Sequence, residues 1–173
     1  MQQPEIRLAG VEDAEAGAWC HLQCWQEAYA DLVEPAKLAE RTADIPTRIS
    51  RWSQAAREGR QRWIALNPDP AAEVRDRVVG FVAIRPNDDE DAVVPLEVQA
   101  IYVRKAWWST GLGSRLMEVA TGNQPASLWV LEGNERAIRF YRRQGFSADG
   151  VVSGDPFFGV NELRMVRTRM FHA

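Results

Sequence analysis

The stretch that decides the fold runs Val98-Gln99-Ala100-Ile101-Tyr102-Val103-Arg104-Lys105-Ala106-Trp107-Trp108-Ser109-Thr110-Gly111-Leu112-Gly113-Ser114. Its β-branched first half reads as a strand, Leu96 to Val103, and a helix is expected to start near Gly111. The first turn of a helix has no internal partners for its backbone N–H groups, so these point the same way and attract phosphate. Gly111 and Gly113 remove side chains where a bulky anion would approach, and they permit positive φ where the chain bends. Ser109, Thr110 and Ser114 add hydroxyl donors. No Gly-Lys-Ser/Thr follows, which argues against a P-loop. No third glycine or acidic residue is placed for a dinucleotide fingerprint.

A second element follows at short distance. Leu128-Trp129-Val130-Leu131-Glu132-Gly133-Asn134 leads through Ala137 and Tyr141 to Gly145-Phe146. At about 100° per residue, Ala137, Ile138, Phe140 and Tyr141 share one arc of a helix while Arg136, Arg139, Arg142 and Arg143 share the other. Tyr141 is therefore expected to face inward. On general grounds such a phenol is more often a hydrogen-bonded core residue than a catalyst. Asn134 stands at the expected helix start, where its ordinary role is an N-cap.

Strand, glycine turn and helix in this order, followed by the second element, resemble the acyl-CoA-binding motifs of the GNAT N-acetyltransferase superfamily. Two positions depart from the common pattern: Trp108 stands where the turn usually opens with Gln or Arg, and Lys105 where Pro often follows the strand. The resemblance implies acetyl-CoA as co-substrate, with no metal, held by Ile101, Tyr102, Val103, Ser109, Thr110, Gly111, Leu112, Gly113, Ser114, Asn134 and Tyr141. It also implies Tyr141 as the acid that protonates the departing CoA thiolate. Glu97 lies where many relatives carry a glutamate that acts as base, usually through water; as a plain strand-face carboxylate it would instead pair with an arginine. Glu27, Asp31 and Glu34 belong to the segment that shapes the acceptor pocket in relatives, though a solvated face explains them as well. A backbone N–H around Ile101 to Val103 would polarise the thioester carbonyl.

Working outward, Glu5 to Leu8 reads as a strand and Glu12 to Tyr29 as a helix with Ala18, Leu22, Trp25 and Tyr29 on one stripe. A second helical region, Pro35 to Gly59, is broken near Ile45-Pro46, because the residue before proline is pushed out of the helical basin. Arg62 to Asn67 and Arg77 to Arg85 are strands joined by the turn Asn67-Pro68-Asp69-Pro70. An acidic loop covers Asn87 to Asp91, a short strand is expected near Phe146, and a last one spans Glu162 to Arg169. This order matches the family across essentially the whole chain. The resemblance implies one domain, residues 1–173, of α/β (α+β) class: a mixed, mostly antiparallel sheet whose central strands splay apart, flanked by helices.

Composition bounds the function. At 173 residues, 46% hydrophobic and 26% charged, the chain can bury a full core as a single domain. A net charge of −3 argues against nucleic acid as the main partner. Neither a signal peptide nor a membrane-length apolar run is visible, so a cytoplasmic protein is expected. Cys20 and Cys24 lie one helical turn apart, but His21 alone cannot complete a metal site; two reduced, half-buried thiols are expected. His21 and His172 fall in no Cys/His or Ser/His/Asp arrangement, which favours direct attack of an amine on the thioester. The acceptor is read as a small-molecule primary amine, with Trp25, Tyr29 and Trp52 as candidates for an aromatic pocket. A protein N-terminal or lysine acetyltransferase and a silent acyl-CoA-binding regulator are the alternatives. Seven tryptophans in so small a chain suggest partly buried rings at a homodimer interface.

Overall fold

The computed structural model describes residues 2–88, 90–122, 124–154 and 158–168. Strand β1 (Glu5–Leu8) is followed by helices α1 (Ala14–Tyr29), α2 (Pro35–Thr42) and α3 (Ile45–Arg57). Then come strands β2 (Arg62–Leu66), β3 (Val78–Pro86) and β4 (Leu96–Val103), helix α4 (Leu112–Thr121), strand β5 (Ala126–Leu131), helix α5 (Glu135–Arg143) and strands β6 (Ser147–Gly154) and β7 (Asn161–Arg167). Seven strands form one sheet in the order β1-β2-β3-β4-β5-β7-β6. Every neighbouring pair is antiparallel except β4 and β5, as expected of a mixed sheet.

The two faces of the sheet carry separate cores. Leu112, Leu116, Met117 and Ala120 of α4 and Ile138 and Tyr141 of α5 pack with Val98 and Leu128 on one face. Ala14, Ala18, Cys20 and Cys24 of α1 pack with Trp52, Ile64, Val78 and Phe81 on the other. Each fully buried Leu or Met contributes roughly 1.5–3 kcal/mol relative to exposure, so α4 alone anchors firmly to the sheet. Buried Arg167 joins the helix ends on that face, donating to Thr121 Oγ1 in the last turn of α4, to Gln124 O just after it and to Gln144 O after α5.

Three expectations are adjusted. The helical region between residues 35 and 59 breaks at Ala43 and Asp44, and Pro46 lies inside the first turn of α3, where its missing N–H costs nothing. Asp44 caps that turn by accepting from Thr47 N at 2.9 Å. The strand after Phe146 is longer than its polar sequence suggested, because β7 supplies its ladder despite a register shift around Gly150, where φ is +91°. Cys20 and Cys24 are both fully buried, free thiols with Sγ atoms 3.9 Å apart. Arg169 and His172 lie outside the described residues, as does Asp89 of the acidic loop. Among the described residues no helix is long and apolar enough to cross a membrane.

Candidate active site

The slot begins at a bulge. Ala83 pairs with Ala100 and Ile84 with Val98, so Gln99 is an extra residue on β4. A bulge bends its strand, and this one sits just past the last pairing of β4 with β5. Those two strands are in register only at Glu97↔Ser127 and Val98↔Leu128, then part. The bulge also resets which side chains share a face: Val98, Ile101 and Val103 pack toward α4, whereas Ala100 and Tyr102 pack toward α1. Glu97, which neighbours Val98, falls on the α1 face.

Arg104 N donates to Val79 O at 2.9 Å, which fixes the phase of the ladder. Antiparallel pairing alternates, so the backbone groups of Tyr102 and Ala100 turn to β3 and those of Ile101 and Val103 turn toward the slot. Buried backbone groups without partners are costly, so an edge of this kind suits a ligand with amides of its own. Val103 O already accepts from Trp108 Nε1 at 2.7 Å. The indole at the departure from the family pattern thus caps the strand end, and the Arg136 guanidinium lies 3.7 Å from its ring centroid.

The turn after β4 is set by backbone conformation. Gly111 caps α4 with φ +86°, and Ser109 takes φ +61° although it carries a side chain. Gly113 has a different reason to lack a Cβ from the one expected. A methyl there would meet the Phe140 ring at 3.2 Å, so this glycine lets α5 approach α4. Ser109, Gly111, Gly113 and Ser114 line one cavity of about 830 Å³, while Thr110 bonds back to Trp107 O and Leu112 is buried in the core. Ser114 Oγ accepts from Gln144 Nε2 at 2.9 Å.

The cavity follows the slot through to the α1 face. Ile101, Tyr102 and Val103 line it from β4, and Asn134 and Tyr141 line it from the start and the inner arc of α5. Asn134 Oδ1 accepts from Ala137 N at 3.2 Å, the capping bond its position implied. Tyr141 packs against Phe140 and Phe146, and burial, reinforced by the Tyr102 phenol and opposed by Arg136, pushes its pKa up. Tyr102 lines the cavity through its ring, and its hydroxyl meets that of Tyr29 at 2.7 Å. Burial raises both of these phenols, Tyr102 to about 12. All three tyrosines of the chain therefore converge here as neutral phenols. His21 also lines the cavity; burial, then Arg48 and Arg62, holds its imidazole well below its usual value and so uncharged.

The carboxylates divide. Glu97 lines the cavity and forms an ion pair with Arg85, its register partner on β3. Glu27 accepts from Arg104 Nε at 3.0 Å and from Lys105 N at 2.6 Å, pinning α1 to the exit of β4; it does not line the cavity, nor do Asp31 and Glu34. Trp52 is also absent from it. Its ring sits in the core 4.9 Å from Phe81 and against Gly17, so it belongs to no pocket. Sequence reasoning missed Phe158 and Glu162, which line the cavity from the far end of the chain and carried no motif. Trp25, Trp107, Trp108 and Trp129 line it as well, while the partly exposed Trp19 and Trp63 lie outside it.

Comparison with known proteins agrees with this geometry. The family profile described as an acetyltransferase (GNAT) domain matches residues 60–148, slightly more than half of the chain. A probable N-acetyltransferase of Mycobacterium tuberculosis is 26% identical over 168 residues, covering 90% of this chain and 87% of that protein. The PaiA N-acetyltransferase of Thermoplasma acidophilum, solved in complex with coenzyme A, superposes with a TM-score of 0.69 at 15% identity, covering 97% of this chain and 100% of that one. YncA of Salmonella typhimurium, a putative acetyltransferase solved with acetyl-CoA, gives 0.66 at 17% identity, covering 99% and 97%. The chain belongs to the GNAT family of acetyltransferases, enzymes that transfer an acetyl group from acetyl-CoA to an amine.

Proposed function

We propose that this chain acetylates the primary amine of a small molecule by direct attack within a ternary complex. The observation that carries the reading is the single cavity, which joins the phosphate-ready turn on one side of the sheet to an aromatic, phenol-lined end on the other. Acetyl-CoA lies with its pyrophosphate on the N–H groups after Ser109 and its pantetheine arm along the outward edge of Ile101 and Val103. An N–H of that edge polarises the carbonyl. An alkylammonium, with a pKa around 10 in water, must lose a proton before it attacks. Glu97 takes that proton through water, the amine nitrogen bonds to the carbonyl carbon, the C–S bond breaks, Tyr141 protonates the departing thiolate, and the nitrogen's second proton returns through water to Tyr141.

Arg85 supports a second role for Glu97, as a structural carboxylate that ties β4 to β3. Thiol release from acetyl-CoA, measured side by side with small primary amines and with peptides bearing a free N-terminus or a lysine, tests the main reading. Turnover of small amines is expected. Turnover of peptides alone would move the protein to the protein-modifying class, and CoA binding without turnover of any amine would leave it a regulator.

A further inference from the structure

The acceptor end of the cavity is built from rings that face one another. Trp25 and Phe158 lie 5.1 Å apart edge to face, Tyr29 and Phe158 5.5 Å, and Trp25 and Tyr29 6.2 Å, so the three close a triangle. Tyr102 adds a fourth ring 6.3 Å from Tyr29. Such rings offer large apolar faces and only a few polar points, here the linked Tyr29 and Tyr102 hydroxyls. A flat apolar body can bury against them; a hydrated polyamine chain cannot use them well.

Charge along the same cavity is mixed. Among the described residues that line it, the cations are Arg136 and Arg143 on α5, and the carboxylates are Glu97 and Glu162. Glu162 pairs in register with Leu131, a neighbour of Tyr29 in the same apolar cluster, and its charge is felt by both Tyr29 and Tyr102. Arg136 is felt by Tyr29 and Tyr141 as well, Arg48 stacks on Trp25 at 4.6 Å, and Glu97 is paired with Arg85. With both signs present at this end, the ring faces and not the net charge set the selectivity.

Resting on the small-molecule reading above, we infer that the acceptor is an arylalkylamine: a primary amine one or two methylenes from a flat aromatic ring. The ring lies against the packed cluster of Trp25, Tyr29 and Phe158, and the amine points past Tyr102 to the slot beside Tyr141. The ammonium gives up one proton to solvent by way of water, the C–N bond forms as the C–S bond breaks, and the products are the N-acetyl arylalkylamine and CoA thiol.

The test uses the full chain with acetyl-CoA and measures kcat/KM for 2-phenylethylamine, propylamine, 1,4-diaminobutane and a lysine peptide. Burying one ring is worth on the order of tenfold to a hundredfold, so 2-phenylethylamine should exceed propylamine and the diamine by that factor. Phe158→Leu, verified as folded by circular dichroism, should narrow the ratio of 2-phenylethylamine to propylamine. Small amines turned over without an aryl preference, or a ratio unmoved by Phe158→Leu, would overturn the ring assignment and leave the small-molecule reading standing. Turnover of the peptide alone, or of no amine, would overturn both.

Discussion

The two ends of the cavity are made of different material. The end proposed for the cofactor is built from main chain: the outward edge of Ile101 and Val103, the turn at Ser109 to Gly111 with its positive φ angles, and the first turn of α4. The end proposed for the acceptor is built from side chains that come together from distant places. Tyr29 and Tyr102, 73 residues apart, share a hydrogen bond, and Phe158 closes over them. A site made of backbone tolerates changes of side chain, which is why Trp108 can replace the family's Gln or Arg and still serve by capping Val103 O. A site made of side chains changes with each substitution, and so sets what the enzyme accepts.

The strongest way to break this contrast is at Gly111. With φ at +86° and no heavy atom within 4 Å of an added Cβ, a substitution there meets no clash and acts through the backbone alone. Gly111→Val forces a β-branched residue into a left-handed conformation, at a cost of order 1–3 kcal/mol, and turns the first N–H groups of α4 away from the anion. Calorimetry should show CoA affinity reduced by more than about a hundredfold in a protein that still melts cooperatively. Unchanged affinity would mean that side chains, and not the turn, hold the cofactor.

Next in size is Tyr141→Phe, which keeps the ring against Phe140 and Phe146 and removes only the donor. With the phenol neutral across the working pH range, it can give its proton as the C–S bond breaks. We expect kcat to fall by roughly ten to a thousandfold with CoA affinity little changed. Full turnover with a verified acceptor would reduce Tyr141 to a core residue and assign the proton to water.

Glu97→Gln sharpens the boundary between the two ends. A base that acts through water matters most where the ammonium form dominates, so the loss, on the order of tenfold, should grow as pH falls. A loss of the same size at every pH, matched by Arg85→Ala, would show that the Arg85 pair only holds the strands together.

The same contrast explains what was legible in the sequence. Backbone features follow local rules, so the strand ending at Val103, the cap at Gly111, the Asn134 bond and the inward arc of α5 could all be read from spacing and residue type. The parting of β4 from β5 came only with the resemblance, and its physical device, the extra residue at Gln99, leaves no mark in composition. Trp52 was misplaced because a large aromatic on an amphipathic helix looks the same whether it packs on Phe81 or lines a pocket. Phe158 and Glu162 were invisible for the complementary reason: they reach the cavity through sheet order, β7 lying beside β5, which periodicity does not encode. His21 was dismissed for lack of a partner motif, yet it stands in the wall as an uncharged ring between Trp25, Phe81 and Tyr102.

The smallest expected effect lies away from both ends and serves as their control. Asp13, at the entry to α1, is 5% exposed; Arg7 donates to its two oxygens at 2.7 and 2.9 Å, and Gly10 N donates at 2.8 Å. Burial pushes this carboxyl up, but the Arg7 and Gly10 bonds outweigh it and hold the group below the usual carboxylate value. A folded-state pKa below the unfolded one contributes stability above the unfolded value, near about 4, and that contribution is lost as pH falls through the folded value. Asp13→Asn keeps the shape and removes the charge. At pH 7 it should cost about 1–2 kcal/mol, lowering Tm by roughly 2–8 °C, because charge-assisted bonds to a buried group are lost while Arg7 remains partly solvated. As pH falls through the folded value wild type and variant should converge, since the carboxyl is then protonated in both folded and unfolded chains. CoA affinity should not move at pH 7. A variant whose deficit does not shrink as pH falls below the unfolded value would show that Asp13 stabilises through packing and not through its charge.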